Sequence, residues 1–320
     1  MPRKCAIPTS LNRRDVLAAA LAAAALPALR ILPAAAGTWI AEVAPGVFVH
    51  QGRHETFNPA NAGDISNPGF VVGESTVAVI DTGGSPVVGK SLREAVRSVT
   101  ALPIRYVVNT HMHPDHVFGN VVLESEGATF VAHQKMARGL TARADRYLAI
   151  NAEALGPEAF AGTKIVLPTV GVDGRRELDL GGRTLQLVAR ATAHTDNDLT
   201  VLDTKTGTMF MGDLIFSGHV PTIDGSLRGW QRLLDTITAE APARIVPGHG
   251  PAAMAWSDAA TPLKRYLAAV ADDVKKDISA GRTLAQSTET AGRSEKDAWV
   301  LFDEYHKRNV SAAFAELEWE

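Results

Sequence analysis

Cysteine is almost missing from this chain: the only one is Cys5, near the start. That excludes a disulfide framework, and it leaves any metal to histidine and carboxylate side chains. A basic surplus is missing too. Lys and Arg number 32 against 35 Asp and Glu, a formal charge of −3, and no Lys/Arg-rich track offers nucleic acid the clustered cations that its phosphates need. No apolar run approaches the roughly 20 residues that span a bilayer; the longest candidate, from Val16 to Pro27, is about 11 residues before the proline. Residues 37–320 hold no short-period repeat and no low-complexity tract. What is present is an ordinary globular composition, 46% hydrophobic and 21% charged over 320 residues, enough for one large core or two small ones.

The first residues are a different material from the rest. Arg3, Lys4, Arg13 and Arg14 precede an Ala/Leu run from Val16 to Leu29, and Ala34-Ala35-Ala36 offers small side chains to a signal peptidase. This is the layout of a secretory signal. The pair Arg13-Arg14, set in Ser10 to Leu17, resembles a twin-arginine export signal, which delivers a protein after folding. Residues 1–36 are therefore expected to be removed and the mature protein to be periplasmic. Losing five basic residues and one acidic one takes the formal charge from −3 to −7, and losing Cys5 leaves no thiol to oxidise.

Short β-branched runs broken by turns predict strands at Val47–Val49, Gly69–Val72 and Val77–Ile80, with a helix from Ser85 to Val99. Further strands are expected at Ile104–Asn109, Thr129–Ala132, Lys164–Pro168, Arg176–Leu180, Leu185–Ala189, Leu199–Asp203, Met209–Met211 and Ala243–Val246. Helices are expected around Lys135–Ala154 and Leu227–Ala239, and beyond Pro251 only helical periodicity continues, over Leu263–Ile278 and Glu295–Leu317.

All ten histidines lie outside the leader, and His111, His113 and His116 fall within six residues that also contain Asp115. In an extended loop His111 and His113 point to one side, and the turn after Pro114 aims Asp115 and His116 at a second position. Crowding three imidazoles and a carboxylate makes sense when cations are shared among them. Two ions need further ligands, and His194, Asp213 and His249 stand after strand-like runs, the last two flanked by glycines that admit a close backbone.

This series, H-x-H-x-D-H followed by a distant His, Asp and His and preceded by Asp81-Thr82-Gly83, resembles the metallo-β-lactamase superfamily over about Ala44 to Pro251. The resemblance implies an αββα sandwich, two mixed β-sheets face to face with helices outside and the site at one edge. It implies a domain over 37–256 and a C-terminal helical extension over 257–320 that either walls the cleft or mediates a homodimer. It assigns His111, His113 and His194 to one metal and Asp115, His116 and His249 to the other, with Asp213 bridging. Two zinc ions are the default, with iron or manganese also suited to such ligands. Aspartate at 213 disfavours the β-lactamase group with cysteine there and is similar to glyoxalase II and lactonases.

The activity so implied is that of a dinuclear metal-dependent hydrolase acting on a small thioester, lactone or ester. A water shared by two cations has its pKa brought from about 15.7 toward neutrality, and Asp115 is placed to orient it or relay its proton. Asp81 is expected to fix a ligand imidazole through its free N–H. His219 is a candidate to touch substrate or protonate the leaving group, and the long Gln51–Asn67 loop is a candidate lid carrying specificity. His50, His133 and His306 read as structural. The segments Asn109–Asn120 and Pro221–Gly225 also resemble the SoxH-like branch, including zinc metallohydrolases of periplasmic quinoprotein relay systems. Two other functions stay open: β-lactam hydrolysis, and a non-catalytic metal- or cofactor-binding accessory protein of a quinoprotein dehydrogenase or sulfur-oxidation system.

Overall fold

The computed structural model describes residues 39–320 apart from residue 241, so the expected export signal, Cys5 included, lies outside the described residues. Seven strands form the first sheet in sequence order: β1 (Ala41–Ala44), β2 (Val47–Val49), β3 (Gly69–Val72), β4 (Val77–Ile80), β5 (Ile104–Val108), β6 (Thr129–His133) and β7 (Val170–Val172). The first four pair antiparallel and the rest parallel. The second sheet runs in the order β12-β11-β10-β9-β8, with β8 (Arg175–Asp179), β9 (Thr184–Ala189), β10 (Leu199–Asp203), β11 (Thr208–Phe216) and β12 (Arg244–His249). Only β11 and β12 in it are parallel. Both sheets are thus mixed.

The period-two rule for strands explains how one short run serves two layers. In β4, Ala78 and Ile80 face inward, where they meet Leu185, Leu187, Val201 and Phe210 of the second sheet. Val77 and Val79 face outward against Leu92 and Val96 of helix α1 (Pro86–Val99). The strand is apolar throughout because both faces are covered. Each such aliphatic side chain, fully buried, contributes about 1.5–3 kcal/mol.

Three short or kinked helices follow on the first sheet's side: α2 (Pro114–Val117), α3 (Asn120–Glu124) and α4 (Met136–Phe160), the last interrupted at Gly156, where φ is 75° ahead of Pro157. On the second sheet's outer face lie α5 (Leu227–Glu240), α6 (Trp256–Ser279), α7 (Leu284–Thr290) and α8 (Phe302–Leu317). Trp230, Leu263, Tyr266, Val270, Val310 and Phe314 share one core there with Met209 and Ile245 of the sheet. The fold is the expected sandwich of two mixed sheets flanked by helices, with α6 to α8 as its C-terminal extension. No helix among the described residues is long and apolar enough to cross a membrane.

Two expectations need correction. Lys164–Pro168 is not a strand: Val166 is buried under the first sheet as irregular chain, and pairing with β6 begins only at Val170. Pro168 has no N–H for a ladder, which fits the delay. Likewise Asp213 and His249 are not on loops after strands: Asp213 lies inside β11, which runs nine residues through it, and His249 is the last residue of β12.

Candidate metal centre

Strand ends bring the pieces together. β4 delivers Asp81, whose φ of 55° departs from the strand and turns its carboxylate toward the neighbouring β5. Its Oδ1 accepts from Thr110 N at 2.8 Å, and its Oδ2 accepts from Thr110 Oγ1 at 2.7 Å and His116 Nδ1 at 2.8 Å. β5 delivers the histidine-rich segment, where α2 opens at His113 with Pro114 in its first turn. The register between β11 and β12 steps from Phe210↔Val246 to Gly212↔Pro247, so Met211 is one residue too many. This bulge, with Gly212 at φ 51°, turns Asp213 into the site. Gly248 is required for a related reason: a Cβ on it would lie 2.0 Å from Asp213 Oδ1. The glycines beside Asp213 and His249 therefore make room for the carboxylate and for Thr110 and Ser217, rather than for a close approach of backbone to metal.

The outward nitrogen of every imidazole is committed, and the partners assign the tautomers. His194 Nδ1 donates to Thr222 O at 2.8 Å, and His249 Nδ1 donates to Ile65 O at 2.8 Å. His113 Nε2 donates to Asp224 Oδ2 at 3.1 Å. Thr110 Oγ1 gives its proton to Asp81 and so accepts from His111 Nδ1 at 3.1 Å. His116 Nδ1 donates to Asp81. The inward nitrogens of His111, His113 and His194 therefore present lone pairs, whereas those of His116 and His249 face the carboxylates of Asp213 and Asp115. The first three converge, with His113 Nδ1 at 3.1 Å from His111 Nε2 and 3.0 Å from His194 Nε2. Lone pairs at such separations repel one another unless a cation lies among them.

Asp213 faces both ways. Oδ2 points to the first cluster, 3.4 Å from His194 Nε2 and 3.7 Å from His111 Nε2. Oδ1 points to the second, 3.0 Å from His116 Nε2 and 3.4 Å from His249 Nε2. Asp115 Oδ2 completes that second cluster, 3.2 Å from His249 Nε2 and 3.4 Å from His116 Nε2. The chain thus gathers His111, His113, His194 and Asp213 at one position and Asp115, His116 and His249 at the next, each set able to hold a metal ion. Buried and without a hydrogen-bond partner are His116 Nε2 and Asp213 Oδ1. A divalent cation fits this donor set, because buried polar atoms left unpaired are costly and all-nitrogen and oxygen sites suit zinc, iron or manganese.

Electrostatics divides the imidazoles. Burial lowers the pKa of His111 well below the ordinary value and that of His194 to about 3. Burial opposes charge on His116 and His249 as well, but the carboxylate of Asp213, joined by Asp115, overrides it; His116 is raised well above the ordinary value and His249 to about 9. Asp115 and Asp213 are held ionised, well below the usual carboxylate range, by the facing imidazoles against the opposing effect of burial.

A cleft of about 380 Å³ opens on His113, Asp115, Asp213 and His249. Its rim comes from Phe57 and Ile65 of the Gln51–Asn67 loop, Tyr147 and Ile150 of α4, His219, and Tyr305 and Arg308 of α8. The loop is pinned as well as overhanging: Ile65 O holds His249, Ser66 Oγ donates to Asp115 O at 2.6 Å, and Asn67 Nδ2 donates to Pro247 O at 3.0 Å. His219 donates Nδ1–H to Val220 O, and burial, then His249, lowers its pKa to about 4. It therefore stays neutral with Nε2 unprotonated, an acceptor rather than an acid at neutral pH. His50, His133 and His306 lie away from the centre, each bonded nearby: to Trp39 O, to Lys135 N, and to Tyr266 and Ala291 respectively. Asp224, Tyr147, Tyr305 and Arg308 were not singled out from sequence as site residues. Their only local signal is the helical spacing of Tyr147 with Ile150 and of Tyr305 with Arg308, which does not say what the face meets.

Residues 62–249, more than half of the chain, match the sequence profile of the metallo-beta-lactamase superfamily. No curated protein matches the chain. Solved structures similar to it include TMB-1, at 19% identity and a TM-score of 0.55, covering 72% of this chain and 96% of that one. A metallo-beta-lactamase from Pontibacter korlensis is similar at 18% identity and 0.53, covering 72% and 98%. One from Erythrobacter litoralis, with beta mercaptoethanol in its active site, is similar at 19% identity and 0.54, covering 72% and 95%. At these identities the structures speak for the fold alone. The profile match, spanning the whole His/Asp metal-binding cluster, shows that the chain belongs to the metallo-beta-lactamase superfamily.

Proposed function

We propose that the protein is a periplasmic dinuclear metal-dependent hydrolase of a small thioester, lactone or ester, exported by the twin-arginine route and lying in the SoxH-like branch of its superfamily. The observation that carries this reading is the pair of His/Asp donor clusters shared by the two oxygens of Asp213. His111, His113 and His194 with Asp213 Oδ2 would hold one zinc ion, and Asp115, His116 and His249 with Asp213 Oδ1 the other. When bound, such a pair brings a shared water toward ionisation at neutral pH and polarises a carbonyl.

The chain's own groups supply the rest. Asp115, ionised and facing both His116 and His249, is placed to orient the nucleophile and take its proton. Tyr305 and Tyr147 line the cleft with hydroxyls that have no hydrogen-bond partner among the described residues. Burial, with nearby carboxylates, raises both phenols, Tyr305 to about 12, so each stays a donor for the negative charge that develops on a carbonyl oxygen. Phe57, Ile65, Ile150 and Phe216 form an apolar rim that limits water beside these donors. Neutral His219 accepts a hydrogen bond from substrate through Nε2.

Metal analysis of the purified protein, paired with turnover of S-lactoylglutathione, a homoserine lactone and nitrocefin, tests the reading against His113→Ala. Hydrolysis of the thioester or lactone, lost in the variant, supports it. Turnover of nitrocefin alone transfers the site to β-lactams, the activity named for two of the similar structures. A protein that holds metal and turns over none of the three is the accessory protein instead.

A further inference from the structure

Beside the metal cleft lies a second cavity of about 500 Å³, and the two share Pro114, Tyr147, Ile150, Asn151 and Arg308 in their walls. The charged side chains facing this second space are Arg143 and Arg146 from α4, Arg308 from α8, and one carboxylate, Asp224. Three positive charges thus meet one negative charge, in a chain whose overall charge is −3. The single carboxylate is already engaged, since Asp224 Oδ2 accepts from His113 Nε2 at 3.1 Å.

The guanidinium groups reach Asp224 only loosely, Arg308 Nη2 at 3.4 Å from Oδ1 and Arg143 Nη2 at 3.8 Å from Oδ2. Arg146 makes no ion pair among the described residues. Arginines used to hold the fold behave differently. Arg183 grips Asp203 with two bonds of 2.9 and 2.7 Å, and Arg265 grips Glu295 with two of 2.7 and 2.9 Å. Those are the short, forked pairs that guanidinium and carboxylate form when each is the other's partner. Around the second cavity three forks lack that partner.

We propose that this cavity seats an anionic group on the substrate, a carboxylate carried on the far side of the scissile bond from the leaving group and held by Arg308, Arg143 and Arg146. The assignment rests on the hydrolase reading and names its substrate class: a small acyl compound with a free acid at one end. The shared wall at Pro114 and Tyr147 joins the two spaces, so the acid is bound on the His113 side while the scissile carbonyl lies over the metal centre. Asp224 then has a second duty, screening the arginines from one another and setting their spacing while it orients His113.

Steady-state hydrolysis by the metal-loaded protein of 4-nitrophenyl acetate, against the mono-4-nitrophenyl esters of succinate, glutarate and adipate, tests this. One of the hemiesters is expected to exceed the acetate in kcat/KM by at least about tenfold, through KM, as one forked pair in place would give. The advantage should shrink in 0.5 M salt by about the same factor, since the arginines are partly exposed. Arg308→Ala and Arg143→Ala are expected to remove most of that preference, Arg308→Lys to keep part of it, and Arg176→Ala, on distant β8, to keep all of it. Equal treatment of hemiesters and acetate by the wild type, or a preference that survives both alanine variants, overturns the proposal. If no ester is turned over, the hydrolase reading fails separately, and calorimetry with glutarate against glutaramide decides. Glutarate bound at least about tenfold more tightly, with the difference lost in Arg308→Ala, supports the anion seat; equal binding of the two overturns it.

Discussion

The metal-binding frame and the cleft wall around it are built on opposite plans. In the frame, every imidazole but the half-buried His113 is buried, and the spare N–H of each is tied to a main-chain carbonyl, Asp81, Thr110 or Asp224. In the wall, Tyr147, Arg143, Tyr305 and Arg308 stand on helices, half-exposed or exposed, with few partners of their own. The frame leaves no freedom to its donors, as a preorganised cation site requires. The wall leaves its polar atoms for something that arrives. Conservative chemistry and adaptable recognition are thus carried by different elements, and substitutions in the two regions should separate in what they damage.

The largest effect is expected at the one residue that serves both clusters. Asp213→Ala takes a carboxylate oxygen from each, and metal content and hydrolysis should both fall by more than about a hundredfold, beyond the range for a lost supporting partner. Retention of metal in this variant would break the distinction. Asp81→Asn is next: it loosens His116 and Thr110 without touching a metal, so cation affinity, read by competition with a chelating dye, should drop about 10- to 100-fold.

Acidity probes the same frame without mutation. His249, raised to about 9 by Asp213 and Asp115, is protonated below that pH, and a cation must displace this proton. Affinity should therefore climb with pH up to about 9, by up to about tenfold per unit for one proton, and calorimetry in buffers of different ionisation enthalpy should register its release.

The smallest effect belongs to the wall. Asn309 Oδ1 accepts from Ile223 N at 2.9 Å and its Nδ2 donates to Pro221 O at 2.6 Å. Asn309→Ala leaves both groups buried and unpaired, and chemical denaturation should show a loss of about 1–3 kcal/mol. Metal content should hold while KM rises if Thr222, which lies between those two residues and lines the cleft, keeps its carbonyl on His194. Loss of metal here would join frame and wall into one unit.

The same division explains what could be read in the sequence. His111, His113, Asp115 and His116 declare themselves because six consecutive residues carry the signal, and Asp81 does so because a strand running into Asp-Thr-Gly marks a turn. His194, Asp213 and His249 follow only as an ordered set. The wall was invisible because its contacts are long-range: Asp224 with His113 spans 111 residues, and Arg308 with Asp224 spans 84. Asp213 itself was expected on a loop, since a β-bulge leaves no compositional mark beyond a glycine. Single strands were legible in the β-branched runs and the layered sandwich only through the resemblance carried by the His/Asp series, whereas Lys164–Pro168 misled because Ile165 and Val166 are apolar for packing rather than for pairing.

One contact binds the two plans in time. Glu316 of α8 accepts from Leu227 N at 2.7 Å, Arg228 N at 3.2 Å and Ser226 Oγ at 2.7 Å, capping the start of α5 just after Asp224. A growing polypeptide has emitted every ligand by His249, yet the residue that fastens this stretch comes far later. Only Tyr305 and Arg308 of the cleft wall share that late origin, since Phe57, Arg143 and Tyr147 all precede His249. The last helix therefore closes a cleft whose other sides are already encoded, and a chain cut short before it would lose one wall and the cap on α5 together.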